Sequence, residues 1–312
     1  MNILVGYTGF VGSNIYVKGS FDAVFNSKNI SEAYGTNPDL LVYAGLRAEK
    51  YIANANPEKD MELIHQAIHN IKCINPQNIV LISTIDIFKE PINVDETSEI
   101  DTEGLGAYGY NRYQLELWVR KNYPNALIVR LPGLYGKNIK KNFIFDFIER
   151  IPKVLKKEKL NELLAIEPAI AEYYEAREDG FYSCKNLTKE EKVIVKKLFE
   201  KTGFSALNFT DSRNVYQFYP LNRLWQDIEI ALKNDIKIFH PATEPVETGE
   251  LYKYLVSEEF VNHLNVVPVR YDYRTAYDEK FGGTNGYICD KETVMKGIRD
   301  FVNDETKIAL KV

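Results

Sequence analysis

Cysteine is scarce in this chain of 312 residues, which has three, Cys73, Cys184 and Cys289. They are odd in number, far apart and in no paired metal-ligand spacing, which argues against a disulfide framework and reads as reduced thiols. Basic charge is also short: 39 Lys and Arg stand against 44 Asp and Glu, for a net charge of -5. No extended basic face collects along the sequence, so nucleic acid is not expected as a partner. Long apolar runs are missing too. Nowhere do about eighteen apolar residues follow one another, and the opening shows no charged-then-apolar leader. We therefore expect a cytoplasmic protein with no membrane partner. Its composition, 45% hydrophobic and 27% charged, is that of an ordinary globular chain long enough for one large or two joined domains.

What is present begins at the first residues. Asn2-Ile3-Leu4-Val5 is an apolar strand pattern that breaks straight into Gly6-Tyr7-Thr8-Gly9-Phe10-Val11-Gly12, with a helical pattern after it. Three glycines spaced three apart between strand and helix suit a dinucleotide. Gly6 permits the sharp turn, Gly9 lets main-chain N–H groups approach a pyrophosphate at the positive helix end, and Gly12 lets helix and strand pack closely. Gly6, Gly9, Phe10, Val11 and Gly12 are accordingly assigned to the cofactor.

Strand and helix patterns then alternate, which predicts an α/β fold with a Rossmann-like, doubly wound parallel sheet. Strands are expected over 2–6, 23–26, 40–44, 78–83 and 126–131, and helices over 11–18, 57–74 and 108–122. In the second of these helices Met61, Ile64, Ile68 and Ile71 repeat at helical spacing, so one stripe faces the sheet. After Gly136 the pattern changes. Helical segments are expected over 141–155 and 159–174, a solvated helix face over 185–201, and a strand at 215–219 followed by a helix at 221–232. This predicts a dinucleotide-binding domain over 1–136, rejoined by 205–235, and a smaller α/β substrate lobe interleaved with it from 137–204 and 236–312.

A second piece of chemistry pairs Ser83-Thr84, at a strand end, with Tyr108-Gly109-Tyr110-Asn111-Arg112, at a helix start. In an open parallel sheet ligands bind outside the carboxyl ends of the strands, where the glycine turn, Thr84 and Tyr108 converge. A Thr84 hydroxyl and a Tyr108 phenol can hydrogen-bond one substrate oxygen, the phenol exchanging its proton. Arg112, four residues on, lies on the same helix face, and its charge is expected to lower the tyrosine pKa.

These motifs resemble the extended short-chain dehydrogenases/reductases that act on nucleotide sugars, the NAD-dependent epimerase/dehydratase family, over most of the chain. Ser83-Thr84-Ile85-Asp86-Ile87-Phe88 is similar to the family's serine/threonine strand, with Pro91 and Glu96 following. Tyr108 to Arg112 resembles its tyrosine-x-x-x-lysine motif, and Arg130-Leu131-Pro132-Gly133-Leu134-Tyr135-Gly136 its strand and turn closing the nicotinamide pocket. Looser matches are Ser212 to Tyr216 and Ala242 to Val246. The resemblance implies an oxidoreductase that reduces or epimerises a nucleotide-linked sugar, with Thr84, Tyr108 and Arg112 catalytic, and a homodimer through helices of the nucleotide lobe. Two positions depart from the pattern. Arg112 replaces the lysine, and a guanidinium is larger and differently directed. Ile85 stands where sugar dehydratases carry an acid, which argues against a dehydratase, and leaves Asp86 as a lone carboxylate better read as a loop anchor.

Cofactor choice turns on the end of the second strand, Asn26-Ser27-Lys28-Asn29. No carboxylate stands there to hold a ribose diol, and a hydroxyl with a lysine suits a 2′-phosphate, so NADP(H) is expected over NAD(H). Ala44 and Gly45 are small residues beside the cofactor. Arg213 and Arg274 are candidate donors to a substrate diphosphate. His65 and His69 have the spacing of a zinc-binding helix but lack the glutamate and a third ligand, so no metal is expected. The competing reading is a catalytically inactive nucleotide-binding or sensor protein, kept open by Arg112.

Overall fold

The structure, a computed structural model, describes residues 1–310. In chain order its elements are β1 (Asn2–Val5), α1 (Phe10–Lys18), β2 (Ala23–Phe25), β3 (Leu40–Tyr43), α2 (Lys50–Ala55), α3 (Pro57–Ile74), β4 (Asn78–Thr84), α4 (Ala107–Asn122), β5 (Leu127–Leu131) and β6 (Gly133–Tyr135). There follow α5 (Phe143–Glu149), β7 (Val154–Lys156), α6 (Lys157–Ile166), β8 (Tyr174–Ala176), β9 (Phe181–Cys184) and α7 (Lys189–Thr202). The remainder is β10 (Val215–Tyr216), β11 (Phe218–Pro220), α8 (Leu224–Lys233), β12 (Ile238–Phe239), β13 (Val246–Glu247), α9 (Thr248–Val256) and α10 (Lys291–Leu310). Among the described residues no helix is long and apolar enough to cross a membrane.

The chain divides into two compact units, the first formed by Met1–Ile139, Val215–Val246 and Arg270–Met295. Its centre is a six-stranded sheet in the order β12-β5-β4-β3-β1-β2, parallel throughout. The strands are apolar at nearly every position because helices cover both faces. On one face Leu4, Val42, Val80 and Val129 pack with Ile15 of α1 and with Leu224, Trp225 and Ile228 of α8. On the other, Ile3, Val5, Leu41 and Leu81 meet Ile64, Ala67 and Ile71 of α3 and Leu115 and Val119 of α4. This is the doubly wound sheet expected from the alternating patterns.

A buried charge network ties strand ends of this sheet to one another. The guanidinium of Arg130 in β5 is bidentate to Glu116 of α4, and Ser83 Oγ of β4 donates to the same carboxylate at 2.5 Å. Arg130 Nη1 also meets Nε2 of His240, just past β12, at 3.2 Å, while Nδ1 of His240 faces the Arg274 carbonyl at 3.1 Å. Those two partners fix the neutral tautomer: Nδ1–H donates and Nε2 accepts. Glu96 completes the clamp, accepting from the His240 N–H, the Thr275 hydroxyl and the Ala276 N–H.

The second unit comprises Lys140–Asn214, Glu247–Val269 and Lys296–Val312. It holds an antiparallel sheet in the order β7-β9-β8, packed through Leu155, Leu160, Leu163, Tyr174, Val195 and Phe199. Thr188 and Glu191 form a reciprocal capping box at the start of α7.

Three expectations are corrected here. The helix expected over 141–155 ends at Glu149, where Arg150 turns left-handed (φ 60°) and Pro152 denies a helical N–H, so Val154–Lys156 is a strand. Pro168 likewise stops α6, and the rest of 159–174 is a 3-10 turn and a strand. The segment that rejoins the sheet is β12, inside the stretch assigned to the substrate lobe; the expected strand at 215–219 splits into β10 and β11, and β11 pairs with β6.

Burial and the neighbouring Arg130 hold the His240 imidazole down at about 3. Because the folded pKa lies below the unfolded value, this side chain's stabilisation is complete above about pH 6.5 and is lost as pH falls toward the folded value, at up to about 1.4 kcal/mol per pH unit. Urea unfolding followed from neutral pH to about pH 5 is expected to show that slope, and His240→Gln to flatten it. An unchanged slope in the variant would contradict this placement.

Candidate active site

The site grows from three chain reversals at the carboxyl edge of the sheet. At the first, Gly6 has φ +92° and a Cβ there would lie 2.3 Å from the Ala44 carbonyl oxygen. A Cβ on Gly12 would lie 2.1 Å from the Gly6 carbonyl oxygen, so α1 is seated against the strand as only glycine allows. Gly9 caps α1 without a side-chain hydrogen bond, and the first turn of that helix carries no acidic residue. The N–H groups opening the helix, those of Phe10 and Val11 among them, therefore face outward with the positive end of the dipole. Ala44 and Gly45 follow β3, with Gly45 against the Val5 side chain.

The second reversal follows β4. The Thr84 hydroxyl accepts from the Asp86 N–H at 3.2 Å, winding Ile85–Ile87 into a single tight turn. A Cβ on Gly109 would lie 2.0 Å from the Asp86 carbonyl oxygen, which locks the start of α4 against that turn. Thr84 and Tyr108 are thereby brought near one another, and both are buried. The Tyr108 N–H donates to Asn54 of α2 at 2.9 Å.

Arg112 lies beside Tyr108 on the same helix face, as expected, and is buried there. It is only 3% exposed, and its Nη1 donates to Asp60 of α3 at 2.5 Å and to the Tyr108 carbonyl at 3.2 Å. Its Nη2 donates to the Arg47 carbonyl at 2.8 Å, and the guanidinium lies 3.9 Å from the centroid of the Tyr108 ring. Asn111 donates to the same Asp60 oxygen at 2.9 Å. These bonds hold the Arg112 guanidinium inside the protein, against the Tyr108 ring. Burial pushes the Tyr108 phenol above its usual value; Arg112 and Thr84 pull it down, and Asp86 and Asp60 oppose them. The lowering expected from Arg112 is present, but desolvation outweighs it.

The third reversal follows β2. Asn26 N–H donates to Asn29 Oδ1, and Lys28 N–H to Asn26 Oδ1, both at 2.9 Å, an Asx-type turn that spends the Asn26 carbonyl oxygen on the backbone. Ser27 and Lys28 project from this turn into solvent.

Solved structures of similar shape come into view at this point. No family model and no curated protein matches the chain. The dTDP-4-dehydrorhamnose reductase of Bacillus anthracis, in complex with NADP, superposes with TM-score 0.62 at 14% identity, covering 97% of each chain. The UDP-N-acetylglucosamine 4-epimerase of Methanobrevibacter ruminantium, bound to UDP-N-acetylmuramic acid, gives 0.61 at 10% identity over 97% of this chain and 96% of its own. The UDP-glucuronic acid 4-epimerase of Bacillus cereus, with NAD and UDP-4-deoxy-4-fluoro-glucuronic acid, gives 0.58 at 13% identity over 97% and 99%. The chain shares their fold.

The remaining candidates are less available than expected. Arg274 is ion-paired with Asp272 and stacked 4.1 Å from the Tyr287 ring centroid. In the second unit Arg213 forms a two-pronged pair with Asp211 at 2.9 and 2.6 Å. A substrate diphosphate would have to displace these carboxylates. His65 and His69 lie on the exposed side of α3, and no metal-holding group of three His, Cys, Asp or Glu occurs among the described residues. The sequence reading did not assign Asp60, Asn54, Lys50 and Tyr271. Asp60 carried a signal: it falls in the α3 stripe of Ile64, Ala67 and Ile71, where a charge demands a buried partner.

Removing one member of a buried ion pair leaves the other charge uncompensated, at a cost of about 3–5 kcal/mol. Asp60→Ala is expected to lose that much in denaturant unfolding. A loss below about 1 kcal/mol, typical of a surface pair, would contradict a buried Arg112.

Proposed function

We propose that this chain is an NAD(P)-dependent oxidoreductase that acts on a nucleotide-linked sugar at a keto or hydroxyl carbon, with reduction as its working direction. The observation that carries the reading is the packing of the Tyr108 helix start against the turn after Thr84, at the same carboxyl edge of the sheet as the β1–α1 glycine turn. Solved proteins of this fold that hold NADP, NAD and nucleotide sugars support it.

The glycine turn fits a dinucleotide, since the cradle that a Cβ at Gly6 or Gly12 would fill leaves the backbone open to a pyrophosphate. Gly6, Gly9 and Gly12, with the N–H groups of Phe10 and Val11, would hold the pyrophosphate, and Ala44 and Gly45 would flank the nicotinamide side. Asn26, Ser27 and Lys28 would meet the adenine ribose. When bound, the nicotinamide supplies the two-electron exchange with the sugar carbon.

The chain's own residues handle the proton and the alignment. Thr84 and Tyr108 would present two hydroxyls to one substrate oxygen, fixing the carbonyl that is to be reduced. Burial keeps the Tyr108 phenol protonated at neutral pH, so the group stands ready to give its proton to that oxygen. Arg112, stacked on the ring and tied to Asp60, holds the phenol in position.

Tyr108→Phe is expected to slow NADPH-dependent reduction of a dTDP- or UDP-linked keto sugar by about 10²–10⁴-fold, the usual worth of a general acid, while leaving NADPH binding intact. Undiminished turnover would refute the role. Fluorescence titration is expected to show NADPH binding more tightly than NADH, and Lys28→Ala to remove the difference. Tighter NADH binding by the unaltered protein would overturn the cofactor preference.

A further inference from the structure

One polar group beside Thr84 has no part in the chemistry above. Asp86 Oδ1 accepts from Lys50 Nζ at 2.9 Å and from the Tyr271 hydroxyl at 2.7 Å, and the same hydroxyl lies 3.4 Å from Lys50 Nζ. Both bonds to Asp86 end on one carboxylate oxygen, and Oδ2 has no hydrogen-bond partner among the described residues. The carboxylate is not sealed off: its side chain is 18% exposed, and that of Lys50 is 52% exposed. Three separate parts of the chain build the group, all within the first unit: α2, the turn after β4, and the segment after Arg270. Tyr271 is itself fixed, with its N–H on the Val215 carbonyl and its ring stacked on Tyr216. Asp86 and Tyr271 both lie within electrostatic reach of Tyr108.

A loop anchor would direct its carboxylate at backbone N–H groups. Asp86 instead holds an ammonium and a phenol at one oxygen and leaves the other open. An open acceptor next to an exposed ammonium matches a hydroxyl, which donates once and accepts once. Resting on the nucleotide-sugar reading above, we propose that Asp86, oriented by Lys50 and Tyr271, determines specificity by binding a second hydroxyl of the sugar ring. That hydroxyl, distinct from the oxygen at Thr84 and Tyr108, donates to Asp86 Oδ2 and accepts from Lys50 Nζ. Tyr271 is a positioning residue, since it touches only the carboxylate. The ligand class is a pyranose with a free hydroxyl near its reacting carbon, so a ring deoxygenated there is discriminated against.

The test is calorimetric titration of the full-length protein, Asp86→Asn and Lys50→Met with UDP-glucose, dTDP-glucose, UDP and dTDP. Losing a hydrogen bond to a charged group corresponds to about a tenfold to hundredfold change in affinity. Both variants are expected to weaken the bound nucleotide sugar by that factor and to leave the bare nucleotide unchanged. Lys50→Met decides the matter if Asp86→Asn fails to fold, because a half-exposed ion pair contributes little to stability. Equal affinity of variants and unaltered protein for the sugar nucleotide overturns this inference and leaves the proposed function standing. Equal weakening of sugar nucleotide and bare nucleotide also overturns it, by exposing a merely structural role. Failure of the unaltered protein to bind any of the four overturns both.

Discussion

The buried pair of Arg112 and Asp60 is the constraint on which the candidate site depends. One guanidinium bridges α4 to α3, reaches the carbonyl of Arg47 after β3, and lies flat on the ring of Tyr108. A lysine ammonium could not make that set of contacts, because it lacks the planar fork that meets oxygens in several directions while presenting a face to a ring. Buried ion pairs add little net stability over an apolar replacement. The importance of this one is geometric: it fixes where the phenol of Tyr108 stands. Burial outweighs the pull of that charge on the phenol, whose pKa stands above its usual value.

A second buried network holds the other side of the site. Arg130, Glu116, Ser83 and His240 join β5, α4, β4 and the chain beyond β12, with every member at least partly buried. Ser83 belongs to this clamp and Thr84, the next residue, to the site. Successive strand residues point to opposite faces, which explains how neighbours in sequence divide the work. Glu96 extends the clamp to Thr275 and Ala276, and so steadies the segment that delivers Tyr271 to Asp86.

Much of the sheet was legible in the sequence because its strands are continuous apolar runs bounded by turn residues, and because α3 shows a clear stripe closed by Pro57 and Asn75. The glycine turn was legible for the same local reason. β12 was not, since two residues carry no periodicity and its place depends on β5 more than a hundred residues earlier. Thr84 and Tyr108 were legible as a spacing between a strand end and a helix start. The partners that define their chemistry were harder. Lys50, Asp86 and Tyr271 converge from separations of 36 and 185 residues, and no local pattern records that. Asp60 lay within reach, as a charge on an apolar stripe. The burial of Arg112 followed from it: a buried carboxylate draws the cation into an ion pair.

The proposed reduction would move two electrons from a nicotinamide to a sugar carbon, with Tyr108 and Thr84 at the substrate oxygen. Mass spectrometry of a dTDP- or UDP-linked keto sugar, incubated with the full chain and NADPH deuterated at the nicotinamide C4, tests it most directly. The expected product is heavier by one deuterium, carried on the sugar ring, with matching loss of label from the cofactor. Unlabelled sugar and unconsumed cofactor across both nucleotide series would contradict it.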